Sequence, residues 1–544
     1  MKSYVGILAL CLLAVPMTAQ QQPDATKKKW DVTEPLGPTT KIEFDTSEGT
    51  WMNVDLSPDG KTIVFDLLGD IYTMPASGGT ATRITNGPAF DMQPRFSPDG
   101  KRLAFSTDRD GLWNIWVMDA NGQNPRQVSS ERRWFVNSPT WAPDGNYIFA
   151  RRHFVKERSL GAGEIWMFHT SGSEGLQVTE RNGWQKDAGE PAVSADGKYL
   201  YYSKDVTPGQ LFEYNKDPYG GIYAVVRRDL STGKERTYVN RPGGSVAPRP
   251  SPDGKYVAFV RRVGTGSKLF LHDVQSGAEY PIFDHLDKDL QEAWAIHGVY
   301  AQYGWSADSK SVVIWGEGKI WRVDVAAKAG QPIPFNAHVE VTVNDALRFK
   351  QNVAPDEFPV RMLRDVTTSP DGKTVVYSAL GRLYRKTLPD GQPAKLTQDS
   401  ADWPSQWLEF APRFSSDGRH IVYGAWNDRE FGRIRLMNAD GSGVRDVVTT
   451  PGHYTDPAFS PDGSKIVYRA VSSDGVRADT RDEETGIFVI ETNGGQPRKV
   501  RDGGAEPQFD HTGQRIYFRD RRGEKCVLAS VDLDGSDETV HFQS

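Results

Sequence analysis

Cysteine is almost missing from this chain: its 544 residues include two, Cys11 and Cys526. Cys11 lies in an apolar N-terminal stretch, and removal of that stretch leaves Cys526 alone, which excludes an internal disulfide. A surplus of positive charge is missing too. With 65 Lys and Arg against 71 Asp and Glu, the net charge of -6 excludes the basic surface that a nucleic-acid partner requires. Beyond the first twenty residues no run is apolar enough to span a bilayer, so no membrane span is expected after signal cleavage. Local catalytic signatures are equally scarce. There is no HxH, HExxH or CxxC, the ten histidines are scattered, and no serine sits in a GxSxG elbow. No catalytic residue, metal ligand or cofactor is therefore assigned within this chain.

The first twenty residues, MKSYVGILALCLLAVPMTAQ, read as an export signal. Lys2 supplies the positive end, Tyr4 to Val15 the apolar segment, and Ala19 the residue before cleavage. Leu10 precedes Cys11 where lipid attachment wants a small residue. The expected location is periplasmic or secreted.

Turn formers and aromatic residues are plentiful. Gly (53), Pro (34) and 11% aromatics favour many short strands joined by turns, an all-β chain. A repeat makes that reading specific. SPDGKTIVF (57), SPDGKRLAF (97), APDGNYIFA (142), SADGKYLYY (194) and SPDGKYVAF (251) share one pattern. SADSKSVVI (306), SPDGKTVVY (369), SSDGRHIVY (415), SPDGSKIVY (460) and a degraded DHTGQRIYF (510) continue it, giving ten repeats 40 to 63 residues apart. Each has a short upstream segment such as Pro94-Arg95-Phe96, and an alternating apolar segment downstream. A third segment of the NIWVM (114) kind follows, then a Gly-containing turn and a last strand such as PRQVS (125).

SPDGKT contains a Gly-Lys-Thr run, yet a phosphate loop needs GxxxxGK[ST] followed by a helix. Asp55 and Thr367 stand where the first glycine should be, and a strand follows each turn. Ser, Pro, Asp and Gly instead match a type I β-turn position by position. Four-stranded antiparallel units repeated in this way predict a β-propeller.

Ten blades exceed one ring of four to eight. The widest spacing, from Ser309 to Gly372, contains a long connection over residues 331–366, which places a transition near residue 340. The expected order is a signal peptide at 1–19 and a linker at 20–38. A first propeller of six repeats occupies 39–340, and a second, partial propeller of four repeats occupies 341–544.

Three insertions interrupt the regular spacing: 151–164, 204–221 and 283–305. In the third, Glu292, Trp294, His297 and Tyr300 bring an acid, an imidazole and two aromatics into nine residues. They are the candidate binding loop, a patch at the propeller mouth; the other reading is a packed loop with aromatic anchors. The acidic turns DRDG (108–111) and DLDG (532–535) lack the full calcium-loop run and read as turns.

The hairpin repeat with its (I/L)(Y/W)xM strand resembles TolB-type propellers, and the N-terminal propellers of tricorn-like proteases and prolyl oligopeptidase relatives. The likeness covers residues 40 to 540. Three longer stretches, 29–72, 289–305 and 353–373, resemble the N-terminal region of large exported bacterial proteins in which such propellers precede an amidohydrolase domain. That resemblance implies a non-catalytic part of an exported metal-dependent hydrolase, serving substrate gating or protein docking, with the catalytic domain missing from these residues. A divalent, zinc-type metal would belong to that downstream domain alone. The implied partner is the chain's own C-terminal catalytic domain or a periplasmic protein or peptide. The alternatives are a stand-alone TolB-like periplasmic scaffold and the propeller part of a tricorn-like or prolyl-oligopeptidase-like serine peptidase.

Overall fold

The structure is a computed structural model that describes residues 34, 37–156, 159–181, 183, 185–212, 218–293, 295–345, 351–397, 407–471 and 484–544. The export-signal stretch lies outside them. Among the described residues the chain is all β, with one 3-10 turn at Pro218–Gly220.

Each repeat is a four-stranded antiparallel blade. In blade 1 the strands are Val54–Leu56, Thr62–Leu67, Asp70–Pro75 and Gly79–Arg83, in sheet order. Blades 2 to 6 follow at residues 91–127, 135–177, 188–239, 246–286 and 304–333. Alternation drives this: in Thr62–Leu67 the side chains of Ile63 and Phe65 face one neighbour and Val64 the other, all fully buried.

Blade 6 packs back on blade 1 and closes a ring. The Val54 N–H donates to the Gln302 carbonyl at 2.8 Å, and the Gln302 N–H donates to Asn53 Oδ1 at 2.9 Å. One apolar cluster joins Val54 and Phe65 to Val313 and Trp315 across that seam. Two further strands widen blade 1 on its outer side. Phe335–Asn344 runs parallel to Gly79–Arg83, and Thr39–Thr46 pairs antiparallel with it. Residue 340 lies inside the first of these, and the next strand begins at Arg364.

Blades 7 to 10 form a second series. The strand Arg445–Phe459 is shared, outermost in blade 8 and innermost in blade 9. Blade 7 packs on blade 8 and blade 9 on blade 10, while no backbone hydrogen bond joins blade 10 to blade 7 among the described residues. Leu528, Val540 and Phe542 of blade 10 stand exposed, as does Val366 of blade 7.

The SPDG segments are hairpin turns. In the first, the Gly60 N–H donates to the Ser57 carbonyl at 2.8 Å, and Ser57 Oγ donates to Asp59 Oδ1 at 2.6 Å while accepting the Thr62 N–H at 2.9 Å. Gly60 has φ +71°, which glycine adopts without strain. The turns also interlock: a Cβ on Gly100 would lie 3.3 Å from Pro58 Cδ of the preceding turn, and one on Gly418 3.3 Å from Pro370 Cδ. Proline of one blade thus seats the glycine of the next.

Candidate functional site: a one-ended axial funnel

The innermost strand of each of blades 2 to 5 carries a bulge four residues before its turn. There Gln93, Ser138, Glu190 and Ala247 take positive φ between 52° and 58°, and the register with the second strand slips at each. A bulge of this kind turns a backbone N–H away from its own sheet. The freed donors find neighbouring blades. Asp66 accepts the Gln93 N–H at 2.7 Å, Gln93 Oε1 accepts the Ser138 N–H at 2.7 Å, and Glu190 Oε2 accepts the Ala247 N–H at 2.9 Å. Around the axis, each of these side chains satisfies a donor that a bulge exposes.

The segment between blades 5 and 6, residues 287–303, lies across one end of that axis. It starts on blade 5, where Arg262 holds the Asp289 carboxylate at 2.6 and 2.9 Å and that of Glu292 at 2.9 and 3.0 Å. It then meets blade 3, where Asn137 Nδ2 donates to the Ile296 carbonyl at 2.8 Å and Arg151 to that of Ala295 at 2.9 Å. Blade 2 follows, with Gln93 Nε2 donating to the His297 carbonyl at 2.6 Å. On blade 4, Glu190 Oε1 accepts the N–H groups of Val299 and of Tyr300, the latter at 3.0 Å. The Tyr300 hydroxyl finally donates to the Trp315 carbonyl of blade 6 at 3.0 Å. With the Gln302 bonds to Asn53 and Val54 of blade 1, the segment is a plug fixed to all six blades.

The candidate loop residues are therefore placed as follows. Glu292 is paired with Arg262, and Tyr300 is fully buried beside Trp51 and Trp315. His297 sets its ring 4.6 Å from that of Trp113, with Nδ1 buried and unpaired, and burial pushes its pKa down to about 4. Trp294 lies outside the described residues. Glu190 is enclosed, and burial pushes its carboxyl above the ordinary range against the hydrogen bonds it accepts.

The other end of the axis, ringed by the turns, is an open funnel of about 490 Å3 lined by all six blades. Pro58, Pro98, Pro143 and Pro252 of the turns form its rim. Two residues before each turn, one side chain per blade faces inward: Asp55, Arg95, Thr140, Ala192, Arg249 and, without a side chain, Gly304. Arg95 Nη1 lies 3.3 Å from Asp55 Oδ1 and donates to the Tyr303 carbonyl at 3.0 Å. Among the described residues Arg249 makes one side-chain hydrogen bond, to Thr140 Oγ1 at 3.5 Å. The next blade's tryptophan steadies each arginine. Trp141 Nε1 donates to the Arg95 carbonyl and Trp305 Nε1 to that of Arg249, both at 3.0 Å.

Sequence reasoning did not single out these two arginines. The signal was present, since PRFSPDG (94–100) and PRPSPDG (248–254) place arginine at one offset from the turn. The DRDG and DLDG segments are turns, closed by Gly111 N–H to Asp108 and Gly535 N–H to Asp532 carbonyls, each at 2.8 Å. Among the described residues one group could offer three metal ligands, Glu43, His338 and Glu340, on the surface ribbon. There Lys41 pairs with Glu340 at 3.0 Å and His338 with Asp45 at 2.9 Å, so the group is internally neutralised.

Residues 52–204 match the tricorn protease N-terminal beta propeller domain. The chain is 29% identical over 237 residues to an uncharacterized protein of Agrobacterium fabrum, covering 41% of this chain and 75% of that one. It is 22% identical over 470 residues to tricorn protease homolog 1 of Streptomyces coelicolor, covering 81% of this chain but 38% of the homolog. A solved structure, the putative TolB from Agrobacterium tumefaciens, aligns with TM-score 0.37 and 18% identity over 50% of this chain and 96% of that one. The match to the tricorn propeller model and the four-stranded blades agree: this chain is a β-propeller protein with tricorn-like blades.

Proposed function

We propose that this chain is the non-catalytic propeller region of an exported, amidohydrolase-like, metal-dependent hydrolase, where it docks the catalytic part and gates its substrate. The observation that carries this reading is the second blade series. In the first ring blade 6 packs back on blade 1, whereas blade 10 leaves Leu528, Val540 and Phe542 exposed and blade 7 leaves Val366 exposed. Apolar blade faces of this kind are completed by further polypeptide, here further structure of the same protein. The likeness of 29–72, 289–305 and 353–373 to the propellers of exported amidohydrolases supports that partner over others. Export to the periplasm or beyond rests on the signal-like residues 1–19. In this reading a divalent metal belongs to the catalytic domain, not to these blades.

A second reading, the propeller part of a tricorn-like peptidase, is favoured by the match of residues 52–204. Reading the intact gene beyond the codon for Ser544 separates the possibilities. An open frame encoding an HxH-bearing barrel is expected, and a GxSxG or tricorn-type serine domain would replace this reading with the second. An immediate stop codon would overturn both and leave a TolB-like periplasmic scaffold.

A further inference from the structure

We propose that the axial funnel is a carboxylate socket, in which Arg249, with Arg95 across the axis, receives the carboxylate of a small organic acid or of a peptide chain end. The inference rests on the charge and shape of the funnel and holds whether or not a catalytic domain is attached.

The charge count comes first. Of the six positions that face inward, two are cationic, one is anionic, and the others are Thr140, Ala192 and Gly304. Asp55 is engaged by Arg95 at 3.3 Å. No carboxylate lies within ion-pairing distance of Arg249 among the described residues, although the residue is only 8% exposed. Asp55 and Glu190 act on Arg249 only from beyond contact, and a buried cation without a paired carboxylate is costly. Burial, and next the charge of Arg95, push the Arg249 guanidinium down to about 9, so it stays protonated at neutral pH. The funnel is one negative charge short.

Shape and rim select the kind of anion. One net positive charge balances a monoanion, and a guanidinium presents parallel N–H donors that suit a carboxylate. A phosphate dianion would leave a buried negative charge uncompensated. The short side chain of Ala192 leaves room beside the arginine, and the rim of proline rings with Trp141 and Trp305 in the walls offers an apolar collar. The fitting ligand therefore carries a carboxylate head on an apolar body. Because the indole N–H groups of both tryptophans are spent on the Arg95 and Arg249 carbonyls, the backbone that carries the two cations is fixed before any ligand arrives.

The test is a calorimetric titration of the full chain with 3-phenylpropionate, 3-phenylpropionamide, and a short phenylalanine-terminated peptide with a free or an amidated C-terminus. Saturable binding of a free acid, absent for its amide and weakened about tenfold or more by Arg249→Gln, is expected. Binding of both acids identifies an open small-acid site, and binding of the peptide acid alone identifies chain ends as the source. Equal binding of acids and amides, equal binding by Arg249→Gln, or no binding of either acid would overturn the proposal. A second readout guards against loss of fold. Arg249→Met removes an uncompensated charge, so its melting temperature should match or exceed that of the unliganded wild type, and 3-phenylpropionate should raise only the wild-type value. A lower melting temperature for Arg249→Met, with no wild-type shift, would contradict the socket.

Discussion

The Glu190 carboxylate of blade 4 accepts the backbone N–H of Tyr300 at 3.0 Å, although the two residues stand 110 apart in sequence. Through the same side chain, the Val299 N–H and the Ala247 N–H of blade 5 are also satisfied. One buried acid thus ties the plug, blade 4 and blade 5 together.

Glu190→Ala should consequently destabilise the ring. The Val299 and Tyr300 N–H groups lose their acceptor, each worth ~1–3 kcal/mol when left unpaired, while the Ala247 N–H keeps Ser203 Oγ at 2.8 Å. Water entering the gap recovers part of this, so a loss of about 3 kcal/mol in urea unfolding is expected, and a loss below about 1 kcal/mol would show that the carboxylate is not the latch.

The interlocking of turns yields a paired test. Gly60 and Gly100 have φ of +71° and +70°, so alanine at either incurs the same left-handed strain of about 1 kcal/mol. A Cβ at Gly60 meets nothing within 4 Å, whereas at Gly100 it meets Pro58 Cδ at 3.3 Å. Gly100→Ala should lower the melting temperature further than Gly60→Ala. Equal losses would remove the blade-to-blade role of the turn proline.

His297 gives the plug a pH signature. Burial first, and the Arg151 charge second, hold its pKa at about 4 against an ordinary 6.5. Between those values the unfolded chain takes up a proton that the folded chain refuses. Its contribution to stability is therefore intact above pH 6.5 and falls as the pH drops towards 4, by up to ~1.4 kcal/mol per pH unit. His297→Phe keeps a ring against Trp113 and lacks the titration. Its unfolding free energy relative to wild type, from urea melts at pH 7 and pH 4.5, should rise at the lower pH; a constant difference would contradict the buried imidazole.

Asp66 slopes the other way. Burial pushes its carboxyl up to about 6, against the hydrogen bonds from Gln93 and Asn53. The folded chain binds a proton that the unfolded chain, with an ordinary value of 3.8, does not hold over that interval. Stability from this group grows as the pH falls from about 6 to about 4. In Asp66→Asn the growth should vanish, as the same pair of urea melts would show, and its persistence would place the titration elsewhere.

The blades were legible because their determinants are local. Ser57, Pro58, Asp59 and Gly60 make their turn with one another, and the alternation of Ile63, Val64 and Phe65 lies within a single strand. The axial features were not. Gln93 donates to the His297 carbonyl across 204 residues, and no pattern near either residue encodes the other. The grouping of Glu292, His297 and Tyr300 was visible as composition, yet which faces blade 5, blade 2 or the core depends on how the segment crosses the axis. Arg95 and Arg249 form an intermediate case. Their shared offset from the turn is in the sequence, while the lack of a paired carboxylate for Arg249 among the described residues follows from Ala192 and Gly304 occupying the equivalent positions on its two neighbouring blades.

The most direct test of a ring sealed at one end is hydrogen–deuterium exchange of the peptide spanning 295–303. The bonds of this segment to blades 2, 3 and 4 predict exchange as slow as that of the innermost strands, Asp91–Phe96 and Ala188–Val193. Exchange at the rate of the exposed turns would mean that the segment leaves the axis open, and the propeller would then be a conduit rather than a one-ended socket.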